Sequence, residues 1–440
     1  MNFNLNGRRI LFANVPADGH FNPLMGLAKH FQQLGADVRW LSSDLYKDKI
    51  KQSGIHHYPL VKTLDINAGN IAEYVPEIRT NDAFKRITLY RIQYAKRSIE
   101  YYEDIKALSA TFDFDCLVTD SLFPAIPFVK ALLNVPVIAI GVIPLAADSI
   151  DTAPYGLGLL PPVSEEERST YEKLYLEMPE KFKEATDIFE QLLRKENVPY
   201  ERSTIENTLI KSASLYLQIG VPYFDYRRSD LGCNIRFIGA LLSPTVNDDQ
   251  TTWYDERLES YNKVILVTQG TVESDPSKLL EPTLQAFINS NVLVVATTGG
   301  KSTAALRAKY SAHNIIIEDF IPFKDVMKFV NVYITNGGYG GTVQSIMNRV
   351  PMVAAGLHEG KNEVCARIGF FGIGINLQTE TPSAERIYDA VNEVLTNILY
   401  KVNVSNLADE FEKHDSMKEI TDYATALLKD RQLKNSLVSQ

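Results

Sequence analysis

Two stretches of the chain hold residue types that could do chemistry. Residues Asn336–Thr342 read Asn-Gly-Gly-Tyr-Gly-Gly-Thr. Glycines let backbone N–H groups approach a ligand closely and adopt dihedrals closed to other residues. A helix starting in such a loop adds oriented donors and partial positive charge, so a phosphate or diphosphate fits there. A tight strand-to-helix turn without a ligand would use the same residues, and a Gly-rich turn alone does not choose between the two. No Gly-Lys-Ser/Thr follows, so this is not a Walker loop. Near the N-terminus, His20 follows Gly19 and lies beside Asp18, between Pro16 and Pro23. A lone histidine is more often structural or exposed, yet its ordinary pKa of about 6.5 suits taking a proton from a hydroxyl near neutral pH. A histidine used this way gains from a carboxylate on its other ring nitrogen. Asp120, which ends the apolar run Cys116–Thr119, is the candidate and Asp18 the alternative. Asp120 could also cap a helix.

The elements that must position these residues alternate between short apolar runs and helical stretches, the pattern of a parallel sheet with crossover helices. Arg9–Val15 reads as a buried first strand, and Pro23–Leu34 as a helix ended by Gly35. His20 then falls in the loop leaving the first strand. Asp37–Leu41, Cys116–Thr119 and Pro136–Ile140 read as strands, with a helix near Ala125–Leu133. Residues 165–202 are charged and glycine-free and read as a helical insertion, and Ile235–Ile238 as the last strand of this half. Gly239–Asp249 carries the turn residues of a linker. The alternation then resumes: Lys263–Thr268, Val292–Thr297, Asn314–Ile317, Val332–Thr335 and Met352–Ala355 read as strands. Lys278–Ile288 and Thr342–Asn348 read as helices between them, and Glu385–Lys401 and Leu407–Lys429 as terminal helices. The class is α/β, two successive doubly wound domains facing across a cleft. The first spans residues 1–240, the linker 241–258 and the second domain 259–400, with C-terminal helices 401–440 returning to the first. Ligands of such sheets sit at the carboxyl ends of the strands.

Composition narrows the partners. A length of 440 residues exceeds one ordinary core. The net charge of −9 argues against a broad nucleic-acid surface. The three cysteines, Cys116, Cys233 and Cys365, form no Cys-x-x-Cys pair, so neither a zinc site nor a disulfide framework is indicated and a reducing compartment fits. The N-terminus lacks the pattern of a signal peptide, and the longest apolar stretch, Val135–Ala147, holds two prolines and is too short to span a membrane. These features predict a cytoplasmic protein without integral membrane association.

Several motifs together resemble the family 1 glycosyltransferases of the GT-B fold. Phe320–Phe323 (Phe-Ile-Pro-Phe) resembles that family's Trp-x-Pro-Gln, and Asn336–Thr342 its His-Gly-Gly-x-Gly/Asn-Ser/Thr. Val350–Pro351 matches its Gly-Val-Pro, and Gly270–Thr271 its Gly-Ser/Thr diphosphate contact. Pro16, Gly19, His20 and Pro23 match its Pro-x-x-Gly-His-x-x-Pro, and Asp120–Phe123 resembles its Asp-x-Phe. The resemblance covers both halves in the right order. It implies that His20 is the general base oriented by Asp120, and that Phe320 stacks on the nucleotide base. It assigns donor contacts to Gly19, Gly270, Thr271, Phe323, Asn336, Gly337, Gly338, Gly340, Gly341, Thr342 and Gln344. Departures are visible. Phe323 stands for Gln, Asn336 for His, Gln344 for the Glu that holds the ribose, and Gly341 for a hydroxyl residue, with Thr342 as its neighbouring substitute. Gly360–Lys361 replaces the Asp-Gln that grips the sugar, resembling a variant branch in which Glu359 and Lys361 take over.

The implied reaction is metal-independent, inverting transfer of a sugar from a nucleoside diphosphate to a hydroxyl. No separate cofactor is expected, only the nucleotide-sugar co-substrate, dTDP-rhamnose or UDP-glucose. The chain is similar to bacterial flavonoid and polyphenol glycosyl- or rhamnosyltransferases, so a small aromatic acceptor is expected. Its pocket would be built in the first half, around the Tyr-, Ile- and Arg-rich segment Asp65–Tyr102, with Tyr90, Phe123 and Ile143 as contacts. A monomer or weak dimer is expected. The rival readings are a nucleotide-sugar epimerase, a non-catalytic nucleotide-sugar binding protein and a membrane-surface lipid glycosyltransferase.

Overall fold

A computed structural model describes residues 5–67, 69–80, 82–242, 252–270 and 273–438. Two parallel sheets follow one another along the chain. The first has seven strands: β1 (Arg9–Ala13), β2 (Asp37–Leu41), β3 (His56–Tyr58), β4 (Cys116–Asp120), β5 (Val137–Gly141), β6 (Leu215–Gln218) and β7 (Ile235–Phe237). The second has six: β8 (Val264–Thr268), β9 (Leu293–Thr297), β10 (Ile315–Glu318), β11 (Val332–Thr335), β12 (Met352–Ala354) and β13 (Gly374–Asn376). The central strands β4, β5, β8 and β9 are buried along their whole length, as continuous apolar runs require when helices cover both faces.

Strand order places the site. The first sheet runs β3-β2-β1-β4-β5-β6-β7 and the second β10-β9-β8-β11-β12-β13. Each order reverses direction once, between β1 and β4 and between β8 and β11, and a crevice opens beyond the strand ends at such a reversal. The registers Ala13↔Thr119 and Thr335↔Thr268 put the segments after these four strands side by side in pairs. Gly19–His20 and Asp120 flank one reversal; Gly270 and Asn336 flank the other.

Where short elements carry weak patterns, structure and sequence reading differ. The strands β3, β6 and β13 were not read from the sequence; at three or four residues they are too short to show a period. The first helix is Asp18–Gln33, starting five residues ahead of Pro23, which lies inside it. Ala17 is extended and Asp18 supplies a first-turn acid, so the helix starts at Asp18. His20 is therefore in the first turn of a helix, not in a free loop. The terminal stretch is divided into Ala384–Thr396, Ile398–Phe411 and Ser416–Val438. Asn397 makes the first break, its side chain accepting from the Leu399 N–H. The last helix reaches back to the first sheet: Ser416 Oγ donates to the carbonyls of Ile238 and Ala240, and Thr421 Oγ1 lies 3.0 Å from His30 Nε2. Part of the linker, residues 243–251, lies outside the described residues. Among the described residues no helix is long and apolar enough to cross a membrane.

Candidate active site

His20 and Asp120 meet at the first reversal. His20 Nδ1 lies 2.8 Å from Asp120 Oδ1. A carboxylate only accepts, so Nδ1 carries the hydrogen and Nε2 is left with its lone pair. Asp120 is fully buried and is fixed by two backbone donors, Val15 N to Oδ2 at 2.8 Å and Leu122 N to Oδ1 at 2.9 Å. One donor comes from the end of β1 and the other from its own turn, so the sheet register itself sets the carboxylate. Asp120 caps no helix; the next begins at Ile126. Asp18 faces elsewhere, accepting from Tyr46 Oη at 3.3 Å. A Cβ on Gly19 would meet nothing within 4 Å, so this turn looks onto open space.

His20 borders a cavity of about 620 Å³. Its wall is mainly the helix Ala83–Ser109, with Ile143, Tyr155 and residues Leu357–Gly360 from the second half opposite. Tyr90 and Ile143 line it, as expected for acceptor contacts. Phe123 does not. It is fully buried with its ring 4.9 Å from that of Tyr101, and its neighbour Leu122 lines the cavity instead. The Asp120 turn aims Leu122 outward and Phe123 into the core.

At the second reversal the expected donor residues divide into those that face open space and those used internally. Phe320 is 67% exposed, and a Cβ on Gly300 would come within 3.4 Å of its ring, so it stands over the Gly299–Gly300 turn as an open aromatic face. Gly338 and Gly340 border open space, at the start of the helix Tyr339–Met347. Gly337 has φ +89°, and a Cβ there would meet Cys365 Sγ at 2.7 Å. Gly270 has φ +73° and lies against Asn336 Oδ1. Asn336 donates an amide proton to the Gln269 carbonyl, so the two Gly-rich turns are tied together. Gln344, half-buried, sits on the same helix. Thr271 lies outside the described residues.

Thr342 is fully buried with its hydroxyl on the Gly338 carbonyl at 3.0 Å, a helix-internal bond, which corrects the expected hydroxyl contact. Gly341 is half-buried in the first turn of the helix Tyr339–Met347, and a Cβ there would meet Tyr333 Oη at 2.7 Å, so its small size also serves packing. A second expected contact is corrected. Phe323 opens a short helix and packs edge-on against Tyr333, with ring centres 5.6 Å apart, so it joins the core.

Glu359 and Lys361 do come together. Lys361 Nζ donates to Glu359 Oε2 at 3.0 Å, and Arg86 Nε lies 3.6 Å from Oε1. Glu359 has φ +59° and Gly360 φ +76°, a left-handed pair that turns both toward the cavity wall. The two cavity-facing halves are locked by buried groups that sequence reading missed. Glu363 accepts from Gly156 N and Gly158 N at 2.9 and 2.8 Å and from Arg367 Nη1 at 3.0 Å. Arg367 Nη2 donates to Asp225 Oδ1 at 2.7 Å. Burial opposes the Asp225 charge, but Arg228 and Arg367 outweigh it and hold its pKa below the ordinary value. Tyr339 Oη donates to the Ile219 carbonyl at 2.6 Å, a further tie between the halves.

Sequence reading also missed Arg97 and Tyr101 as cavity residues. The signal was present: Ile87, Tyr90, Tyr94, Arg97 and Tyr101 are spaced by three or four, one face of a helix.

Comparison with known proteins bears on the family and the fold. The family model of UDP-glucoronosyl and UDP-glucosyl transferases matches residues 187–424. The 4'-demethylrebeccamycin synthase of Lentzea aerocolonigenes is 32% identical over 434 residues, 96% of this chain and 100% of that one. UDP-glucosyltransferase 1 of Beauveria bassiana is 30% identical over 436 residues, 94% of each chain. Among solved structures, the glycotransferase of kitacinnamycin superposes with a TM-score of 0.75 at 17% identity, over 96% of this chain and 99% of that one.

Proposed function

The chain belongs to the UDP-glucoronosyl and UDP-glucosyl transferase family, a glycosyltransferase of the GT-B fold, and we propose that it inverts the sugar it transfers, from a nucleoside diphosphate onto a hydroxyl of a small aromatic acceptor. The observation that carries the reading is the His20–Asp120 pair at the wall of the apolar cavity. His20 Nε2 takes the proton of the acceptor hydroxyl. The oxygen attacks the anomeric carbon as its bond to the diphosphate breaks, and that electron pair leaves on the diphosphate. Asp120 stabilises the imidazolium. Gly338 and Gly340, at a helix start beside open space, supply backbone donors for the departing charge. Phe320 stacks on the base.

UDP-glucose is the first donor to test, because a 30% identical relative is named a UDP-glucosyltransferase; dTDP-rhamnose is the second, motivated by Gly360–Lys361 in place of Asp-Gln. The transfer needs no metal step in this reading. The test is mass spectrometry of products from both donors with a phenol panel, and the anomeric configuration of the product by NMR. A glycosylated acceptor of inverted configuration is expected. Donor turnover without any acceptor adduct, as an epimerase gives, or retained configuration would overturn the reading.

A further inference from the structure

One cation of the cavity beside His20 forms no ion pair among the described residues. Its other charges pair off or reach water. Arg91 Nη2 binds Glu206 at 2.6 Å, Glu359 is held by Lys361 and Arg86, and Lys181 is exposed at the rim over the Phe84 ring. Arg97 is half-buried and forms no ion pair among the described residues; its guanidinium makes one long bond, 3.4 Å, to Gln93 Oε1. Asp65 and Glu100 feel its charge from beyond pairing distance. Each gives an oxygen to a backbone amide instead, of Asp44 at 2.9 Å and of Leu64 at 3.3 Å.

The second oxygen of Asp65, Oδ1, is buried without a partner, and two hydroxyls share the cavity-facing stripe of Arg97. Tyr94 Oη is buried with no partner, and Tyr101 lies one turn on along the same cavity-facing stripe. Burial raises both phenol pKa values, so both keep their protons at neutral pH. Taking a guanidinium partly out of water without an ion-pair partner is costly, and its planar fork fits a carboxylate. The apolar side chains of the wall, with Ile87, Ile143 and Phe84, suit a ring carrying that carboxylate.

We propose that Arg97, assisted by the hydroxyls of Tyr94 and Tyr101, receives a carboxylate of the acceptor, so that the preferred acceptors are hydroxylated aromatic acids rather than neutral phenols. This inference rests on the acceptor reading given above. It is tested with 4-hydroxycinnamic acid and its methyl ester, which share a hydroxyl and differ only in the acid. With the full chain and a fixed donor, the acid should exceed the ester in kcat/KM by roughly 10- to 100-fold. Arg97→Gln should bring that ratio to about one, and Arg97→Lys should restore part of it. Calorimetric binding of both probes in the presence of UDP should show the same preference and the same collapse. An ester equal to or better than the acid in the wild type, or a ratio unchanged by Arg97→Gln, overturns the inference and leaves sugar transfer standing. Preferential binding of the acid with neither probe glycosylated overturns the transfer reading and upholds the Arg97 contact.

Discussion

Arg367 and Asp225, 142 residues apart in the chain, meet at 2.7 Å, each almost wholly buried. Asp225 belongs to the turn after β6 in the first half. Arg367 lies on the helix Lys361–Phe370, whose first residue pairs with Glu359. The contact therefore fixes the helix that Lys361 opens against the half bearing His20 and Asp120.

Removing Arg367 leaves buried Glu363 without its cation and Asp225 with Arg228 alone. Arg367→Ala should cost about 3–5 kcal/mol of stability at neutral pH, read by denaturant unfolding. An unchanged midpoint would show that the seam does not depend on this pair.

The same contact fixes the sign of a pH effect. The folded-state pKa of Asp225 lies below its ordinary 3.8, so its contribution is fully present above that value and fades as pH falls through the folded one. The stability gap between wild type and Asp225→Asn should be constant near neutrality and close in acid, below about pH 4. A gap that widens on acidification would contradict the assignment.

Phe320 is an exposed aromatic face over the Gly299–Gly300 turn. Phe320→Ala should weaken UDP or dTDP binding by roughly 1–3 kcal/mol, the range for base stacking on an aromatic side chain, with little change in melting temperature. Calorimetric titration checks it, and an unaltered Kd would remove Phe320 from the donor site.

Glycines in one loop should separate by role. Gly337→Ala places a methyl group 2.7 Å from Cys365 Sγ at a φ of +89°, and should destabilise the fold by about 1–3 kcal/mol. Gly340→Ala meets nothing within 4 Å; it should leave stability intact or slightly raised, while nucleotide affinity falls. Equal stability losses in the two variants would deny that Gly340 faces a ligand.

How much of this was legible depended on the length and kind of each signal. The buried strands β1, β4, β8, β9 and β11 are continuous apolar runs, and the turns after them carry His20, Asp120, Gly270 and Asn336, so the two reversals could be placed from residues alone. The strands β3, β6 and β13 are too short for any period. Motif position did not reveal direction: Thr342 and Phe323 occupy donor-motif positions yet turn inward, because the helix backbone and the buried Tyr333 claim them. Leu122 rather than Phe123 reaches the cavity for the same reason, a one-residue matter of which way a turn points. The Arg367–Asp225 contact was invisible because its partners are distant in sequence. The Tyr90–Tyr94–Arg97–Tyr101 stripe was readable by period, but the segment presented itself first as aromatic and basic rather than as a helix.

Asp120 should act through His20 alone. Asp120→Asn keeps the shape but loses the charge that fixes the Nδ1–H tautomer, so kcat should fall about 10²- to 10⁴-fold with little change in donor affinity. Wild-type turnover in this variant would return Asp18 to consideration, against its bond to Tyr46.

The central claim is that His20 is the base of a sugar transfer, and the most direct test is His20→Ala assayed for acceptor glycosylation and, separately, for nucleotide binding by calorimetry. Turnover should drop about 10²- to 10⁴-fold while the nucleotide Kd stays within roughly twofold. Turnover close to that of the wild type would contradict the account.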